Sequence, residues 1–270
     1  MRIKVNVHIC QSDEESWDTI WRWSWFTREI WMAEYWKRTE EALKILFPIL
    51  SSYGVKSILD CSCGLGFKTI IFAKRGYEVE GSDASAAAIK YAPQLAREHE
   101  FKIRFFRSRF EDLNKNCKRR YDCAFSDYFD ELATYEMLRK AAEGIRSILK
   151  ENGIFIFCSP APELTKTELG KLIENEWKRR ERFQIDPPVR RNSLKVIHIE
   201  VANKMREGIL ESHIYLIEEN EMLRAEIAQI MNPRIKWTYK DFVNVLKEAS
   251  YSKIDYIPRE EKEGFLIATK

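Results

Sequence analysis

The chain lacks any apolar run approaching the ~20 residues that cross a bilayer as a helix, so no membrane partner is expected. It also lacks a C-x-x-C pair. Several of its six cysteines (Cys10, Cys61, Cys63, Cys117, Cys123 and Cys158) fall inside apolar runs that read as strands. Reduced thiols in a cytoplasmic protein are expected, and a disulfide framework is not. Histidine is scarce, and His8, His99, His198 and His213 show no ligand spacing, so no metal is expected. Charge of one sign is missing too. The 45 basic and 42 acidic residues leave a net +3, which is not the basic footprint of a dedicated nucleic-acid binder. "KNCKRRYD" (115–122) reads as a solvated loop before a strand. The opening "MRIKVNVHICQSDEESW" alternates and turns acidic, so it does not read as a signal peptide.

What is present suits a folded enzyme-sized chain. With 270 residues and 45% hydrophobic content it can bury the core of one large α/β domain, or of one domain with an elaborate insertion. Residues 16–50 read as helical, and 1–50 as an N-terminal helical cap. A strand–helix alternation follows from 51 to 159. "SILD" (57–60), "YEVEGS" (77–82), "KIRFFR" (102–107), "YDCAFS" (121–126) and "GIFIFCS" (153–159) read as strands. Residues 67–75, 85–100 and 135–151 read as helices, with Pro93 a candidate kink. That rhythm predicts a Rossmann-like, mostly parallel, seven-stranded sheet with helices on both faces. At 160 the rhythm changes. Residues 163–183 read as a charged helix, and 185–193 as a loop around Pro187 and Pro188. Residues 194–230 read as alternating strands with "REG" (206–208) as a turn, although 216–230 suits a helix equally well. Residues 160–236 are therefore expected to form an antiparallel insertion covering a substrate. In 237–270 the core resumes with a helix, with Thr238 as N-cap and Asp241 at the capping-box position. A strand pair then completes the core.

"SILDCSCGLGFKTIIFAKRGYEVEGSDAS" (57–85) carries the chemistry. Ligands of an open α/β sheet bind beyond the carboxyl ends of the strands. Gly64 and Gly66 lie on the turn there, where glycine lets backbone approach a ligand. Asp83 ends the next strand, placed to accept ribose hydroxyls. The dinucleotide fingerprint would need a third glycine where the chain has Thr69, so that fingerprint fails. Asp60 would repel a pyrophosphate but suits a ligand carrying ammonium and sulfonium groups.

These residues resemble motif I and the following acidic motif of class I S-adenosylmethionine-dependent methyltransferases. Within that class the chain is most similar to glycine and glycine/sarcosine N-methyltransferases, through "DCSCGLG", "GYEVEGSDAS", "YA" at 91–92 and "RTEE" at 38–41. The resemblance implies S-adenosyl-L-methionine as cofactor, S-adenosyl-L-homocysteine as product, and no metal. It implies that Arg38 binds the methionine carboxylate, and that Asp60 with Cys61, Ser62, Gly64 and Gly66 holds the amino-acid end. Asp83, with Ala84 and Ser85, would take the ribose. Arg109 and Phe110 of "SRFEDL" would cover the adenine, and Ser126 would sit near the reacting methyl. Two departures stand out. Most class I members carry Asp or Asn at the position of Arg109. The arginine that follows the fifth strand in the small-amino-acid enzymes is absent, with none before Arg179.

Six of the eight tryptophans fall within 17–36. Their spacing suits an aromatic packing seam, or a lid whose faces attract a cation. Trp25 and Trp31 are taken as substrate-side candidates, with Arg190 and Arg191 of the insertion as the charge for an acidic group. Asp127 and Tyr128 in "SDYFDE" are the candidates for orienting the nucleophile. The expected activity is methyl transfer to a small-molecule acceptor, more readily an amine nitrogen than an oxygen. A tRNA or protein methyltransferase and a non-catalytic scaffold subunit are the alternatives. The acceptor's identity and a homo-oligomeric state are left open.

Overall fold

The structure is a computed structural model that describes residues 5–206, 208–220, 222–232 and 237–270. Residues 207, 221 and 233–236, on the expected turn at 206–208 and at the end of the 160–236 insertion, lie outside the described residues.

The chain begins with strand β1 (Asn6–Ile9) and helices α1 (Asp13–Phe26), α2 (Arg28–Leu43) and α3 (Leu46–Ser52). Then come β2 (Ser57–Asp60), α4 (Phe67–Lys74), β3 (Glu78–Asp83), α5 (Ala86–Glu98), β4 (Arg104–Arg107) and α6 (Leu113–Asn116). The core continues with β5 (Tyr121–Ser126), α7 (Tyr135–Ser147) and β6 (Leu149–Pro160). Helix α8 (Lys166–Arg179) leads into β7 (Phe183–Ile185), β8 (Val189–Arg191), β9 (Leu194–Lys204), β10 (Ile209–Glu219) and β11 (Met222–Asn232). Helix α9 (Tyr239–Glu248), β12 (Lys253–Pro258) and β13 (Glu263–Thr269) close the chain.

The core sheet has seven strands in the order β12-β13-β6-β5-β2-β3-β4. The neighbours from β4 to β6 run parallel, and β13 is antiparallel to both β6 and β12. Successive residues of a strand point to opposite faces, and β6 shows the result. Phe155 and Phe157 pack with Leu138, Ile145 and Phe242 of α7 and α9. Ile154 and Ile156 pack with Leu46, Leu50, Ile71 and Phe72 of α3 and α4. With both faces covered, these strands read as the unbroken apolar runs seen in the sequence. Each fully buried Phe contributes about 1.5–3 kcal/mol by leaving water.

The insertion forms a second sheet, β1-β11-β10-β9-β7, with β8 also on β9. Its strands β9, β10 and β11 are antiparallel over their full lengths, so 216–219 and 222–230 are strand rather than helix, with Asn220 in a turn between them. Strand β1, unforeseen in the sequence, pairs parallel with β11. The expected loop at 185–193 is shorter. Pro187 and Pro188 fall between β7 and β8, and the residues on either side of them pair with β9. The stretch 16–50, expected to be helical, is divided into α1, α2 and α3. The first break lies at Thr27, whose hydroxyl donates to the Trp23 carbonyl at 3.0 Å while its N–H caps the same carbonyl. The helix expected to reach 151 stops at Ser147, because Leu149 already belongs to β6. Thr238 and Asp241 form the expected capping box of α9.

Helix α1 is wedged between the two sheets. Trp23 packs on Val196, Tyr215 and Ile217, and Ile20 packs on Ala228 and Ile230, all in the insertion sheet. Trp25 faces the other way and stacks on Tyr91 of α5 at 5.2 Å. This wedge lays α1 across the carboxyl ends of the core strands.

Candidate functional site

The parallel strands end together, so the loops after β2, β3, β4 and β5 converge. Two backbone bonds tie the first loop to its neighbours: Cys61 N–H donates to the Phe125 carbonyl at 2.8 Å, and Cys63 N–H to the Ser82 carbonyl at 3.0 Å. Gly64 and Gly66 take φ of +51° and +88°, the left-handed region that favours glycine. A Cβ on Gly64 would stand 2.7 Å from the Trp21 ring. Asp83 accepts from Gly64 N–H and Ser85 N–H, both at 2.9 Å, so its carboxylate is fixed at the mouth of the turn. Burial pushes it up to about 6.

Asp60 is fully buried. Thr69, the residue that breaks the dinucleotide fingerprint, donates its hydroxyl to Asp60 Oδ2 at 2.7 Å. The Ser62 backbone N–H leans toward the carboxylate, yet Oδ1 has no partner at hydrogen-bond distance among the described residues. Burial, then the Asp127 charge, push Asp60 up to about 7, with Lys68 opposing. A buried carboxylate oxygen without a donor is costly. Its position beside a glycine turn is what a cationic ligand group would satisfy.

The loop after β5 forms a second cluster. Ser62 Oγ lies 2.9 Å from Ser126 Oγ and donates to Asp127 Oδ1 at 3.1 Å. Ser126 Oγ accepts from Tyr128 N–H and Phe129 N–H. Lys68, one residue into α4, forms an ion pair with Asp127. Burial works against the Lys68 charge, and Asp127, with Tyr35 and Asp60, together more than offset it, so Lys68 is held protonated. Burial pushes the Tyr128 phenol up to about 12, so it stays neutral, and its oxygen accepts from Trp17 Nε1 at 3.3 Å. The thiols of Cys61 and Cys63 are also raised by burial, which makes them poor nucleophiles.

Beyond this cluster a cavity of about 730 Å³ opens at the ends of β5 and β6. Arg38 from α2, Lys68 and Asp127 line one side, and Arg259 of the β12–β13 hairpin lines another. Carboxylates outnumber cations around it, with Asp130, Glu131, Glu176, Glu260 and Glu261 among them.

Not every residue singled out in the sequence joins this group. Asp60, Cys61, Ser62, Gly64, Gly66, Asp83, Ala84, Ser85, Ser126, Asp127 and Tyr128 lie on the converging loops, and Arg38 lies on the cavity wall. Arg109 turns outward and, with Arg107, forms an ion pair with Glu14 of α1. Phe110 packs against the core cluster under α7, its carbonyl where a Cβ on Gly144 would clash. Trp25 lies on Tyr91, with the Arg28 guanidinium 3.7 Å from its ring centroid, and Trp31 lies on Phe67 and Tyr35. Both belong to the seam between helices. Arg190 pairs with Glu218, and Arg191 with Glu29, on the edge of the insertion sheet. Neither is among the residues that line the cavity. The aromatics that do face the loops are Trp17 and Trp21, stacked at 5.8 Å, with Trp17 edge-on to Tyr128. Lys68 and Arg259 also escaped the sequence reading. Lys68 could have been flagged as a cation directly after the glycine turn. Arg259 sits in "PREEKEG", which carries no local sign of a site. Away from the cleft, His8, Cys10 and Glu15 bring one ligand atom each within 4.8 Å of one another, and His8 Nε2 lies 2.7 Å from Glu15 Oε1.

The strand order and the site at the strand ends define the fold of the S-adenosylmethionine-dependent methyltransferases. A methyltransferase from Clostridium acetobutylicum superposes with a TM-score of 0.60 at 14% identity, covering 87% of this chain and 91% of that one. The sugar N-methyltransferase KedS8 from Streptoalloteichus superposes with a TM-score of 0.58 at 14% identity, covering 87% and 86%. The methyltransferase domain family matches residues 54–221, and the chain belongs to that family. Among curated relatives, a glycine/sarcosine N-methyltransferase from Parasynechococcus marenigrum is 27% identical over 121 residues, 44% of this chain and 43% of the relative. One from Aphanothece halophytica is 26% identical over 144 residues, 53% and 50%. The chain spans about half the length of the curated relatives it matches.

Proposed function

We propose that the chain binds S-adenosyl-L-methionine at the ends of β2, β3 and β4, and directs its methyl group to the amine nitrogen of a small molecule held in the cavity at the ends of β5 and β6. The observation that carries this reading is the unpartnered Oδ1 of buried Asp60, set beside a left-handed glycine turn and the fixed carboxylate of Asp83. That donor set fits a ligand with a cationic amino-acid end and a ribose. The N-methyltransferase names of the curated relatives support nitrogen as the acceptor atom.

Bound there, the cofactor supplies an electrophilic methyl. The chain's part is alignment and charge. Asp60 and the backbone of Cys61–Gly66 receive the ammonium, Arg38 the carboxylate, and Asp83 with Ala84 and Ser85 the ribose. Ser126 closes the floor beneath the methyl position. The acidic cavity wall attracts an amine in its ammonium form. Transfer needs the neutral amine, so the ammonium first gives a proton to solvent water at the open side of the cavity. Asp127, held by Lys68 and Ser62, accepts from the amine N–H and points its lone pair at the methyl. Tyr128, neutral and pinned by Trp17, limits the amine's freedom. Such positioning is where most of the rate advantage of an in-line transfer arises. Arg259 on the cavity wall is already paired with Glu263 and Glu260, so an acidic group on the acceptor would have to displace those carboxylates. No metal enters this reading.

The test is methyl transfer from labelled cofactor to a panel of small amines, with and without an acidic group. Asp127→Asn should lower kcat at least tenfold while cofactor affinity stays within about twofold. Full turnover in Asp127→Asn would remove Asp127 from the acceptor site.

A further inference from the structure

The insertion sheet has two faces, and among the described residues only one packs on the rest of the chain. The face toward α1 carries Val196, Tyr215, Ile217, Ala228 and Ile230, all buried. The opposite face holds the alternate residues. Register places Ile9, Ile227, Ile214, Ile199 and Ile185 side by side, one from each of β1, β11, β10, β9 and β7. Val7, Ala225, Leu216 and Ile197 form the next apolar row. Ile9, Val7, Ile185 and Phe183 are 47%, 57%, 56% and 54% exposed. Contiguous apolar surface of this kind marks an interaction site.

We propose that this face is the interface of a homodimer, in which the isoleucine row of one copy packs on the isoleucine row of a second. Three features select a second copy as the occupant. The first is self-complementarity. A two-fold contact needs a patch that matches itself about its own centre. Strand β10 is the middle of the five, and Ile214 is the sixth of its eleven residues. Ile199 and Ile227 are likewise sixth of eleven in β9 and β11. An axis through Ile214 along the row therefore sets isoleucine on isoleucine. The second feature is charge. On the outward positions of β9, β10 and β11 the charged residues are Lys195 and Glu218, which stand opposite each other in register and pair at 3.7 Å. Both lie at one end of the face. The same axis places them over the partner's other end, where Asn203, Leu210 and Met231 stand, so like charges do not meet. The third is size. With strands ~4.8 Å apart and ~3.3 Å per residue, the three long strands and two short ones present roughly 600 Å² per copy. Two copies then cover roughly 1,200 Å², the lower end of the range for specific, stable interfaces. Sheets packed face to face in this way lie about 10 Å apart. The dimer leaves the cleft under α1 on the outer side of each copy, so the proposal stands independently of the function assigned to that cleft.

Sedimentation equilibrium and cysteine cross-linking of the full chain test it. The wild type should sediment at twice the chain mass at micromolar concentration. Ile214→Lys should sediment as a monomer with an unchanged far-UV spectrum. Ile214→Cys, which tests the site without the burden of a charge, should be joined into a covalent dimer by a bis-maleimide reagent long enough to span the ~10 Å between the packed sheets. Tyr53→Cys, on a surface remote from the sheet, should not. A monomeric wild type would overturn the proposal. So would a dimer that survives Ile214→Lys, or an Ile214→Cys that forms no covalent dimer.

Discussion

Asp60 is the residue whose chemistry most constrains the site. In the ligand-free chain it titrates near 7, raised chiefly by burial, next by Asp127, and opposed by Lys68 and Thr69. Its folded value lies above its unfolded value, so the folded state keeps the proton over a range where the unfolded chain has lost it. Stability from this group is present at low pH and is lost as pH rises from about 4 to about 7. Asp60→Asn should therefore melt higher than wild type at pH 8 and show little gain at pH 4, which calorimetric melting at the two values checks. A cation bound at Oδ1 favours the carboxylate, so the sign for binding is opposite. Affinity for S-adenosylmethionine should fall as pH drops from 8 to 6, by up to about tenfold per unit below the titration. In Asp60→Asn that slope should vanish along with most of the affinity. A slope that persists in the variant would locate the titration elsewhere. Gly64 supplies a second residue-scale prediction. Valine there cannot hold φ of +51° and would drive a side chain into the Trp21 ring. Cofactor affinity should fall at least a hundredfold with the far-UV spectrum retained.

At the scale of elements, α1 is both a packing wedge and the cover of the cleft. Its first turn is latched by Glu14 to Arg107 and Arg109, and Asp18 accepts from Ser85 Oγ and Ala87 N–H at the start of α5. The latch is largely exposed, so Glu14→Ala should cost at most about 1 kcal/mol of stability. It should speed cofactor association severalfold, read by stopped-flow tryptophan fluorescence, because Trp17 and Trp21 lie over the loops. An unchanged association rate would show that α1 does not gate the cleft. Deleting residues 1–30 would not isolate this effect. Trp23 and Ile20 belong to the cores of the insertion sheet, and their loss would leave that face bare. Legibility followed the same division. The βα rhythm was readable because the central parallel strands β2, β5 and β6 are buried on both faces, and Asp60, Gly64, Gly66, Ser126 and Asp127 sit at or just beyond the ends of β2 and β5. Strand β1 was not assigned: four alternating residues are too short a run to separate a strand from a loop, and their partner β11 is distant in sequence. The 216–230 stretch was ambiguous because both faces of the insertion sheet carry apolar residues, which blurs the period of two. Arg259, Trp17 and Trp21 reach the cleft through tertiary packing, which spacing along the chain does not encode.

For the whole molecule, the account joins a methyltransferase-family core to two additions, the N-terminal helices and the insertion sheet. The core contributes the loops at its strand ends, α1 lies across them, α2 and α8 wall the cavity, and the insertion sheet backs α1. The central claim is that these loops hold S-adenosylmethionine through Asp60 and Asp83. Isothermal titration of the full chain, wild type and Asp83→Ala, with S-adenosylmethionine and with NAD tests it most directly. The account predicts one S-adenosylmethionine per chain, a loss of about 1.5–3 kcal/mol in Asp83→Ala, and no heat with NAD. Absence of S-adenosylmethionine binding, or equal affinity in wild type and Asp83→Ala, would contradict it.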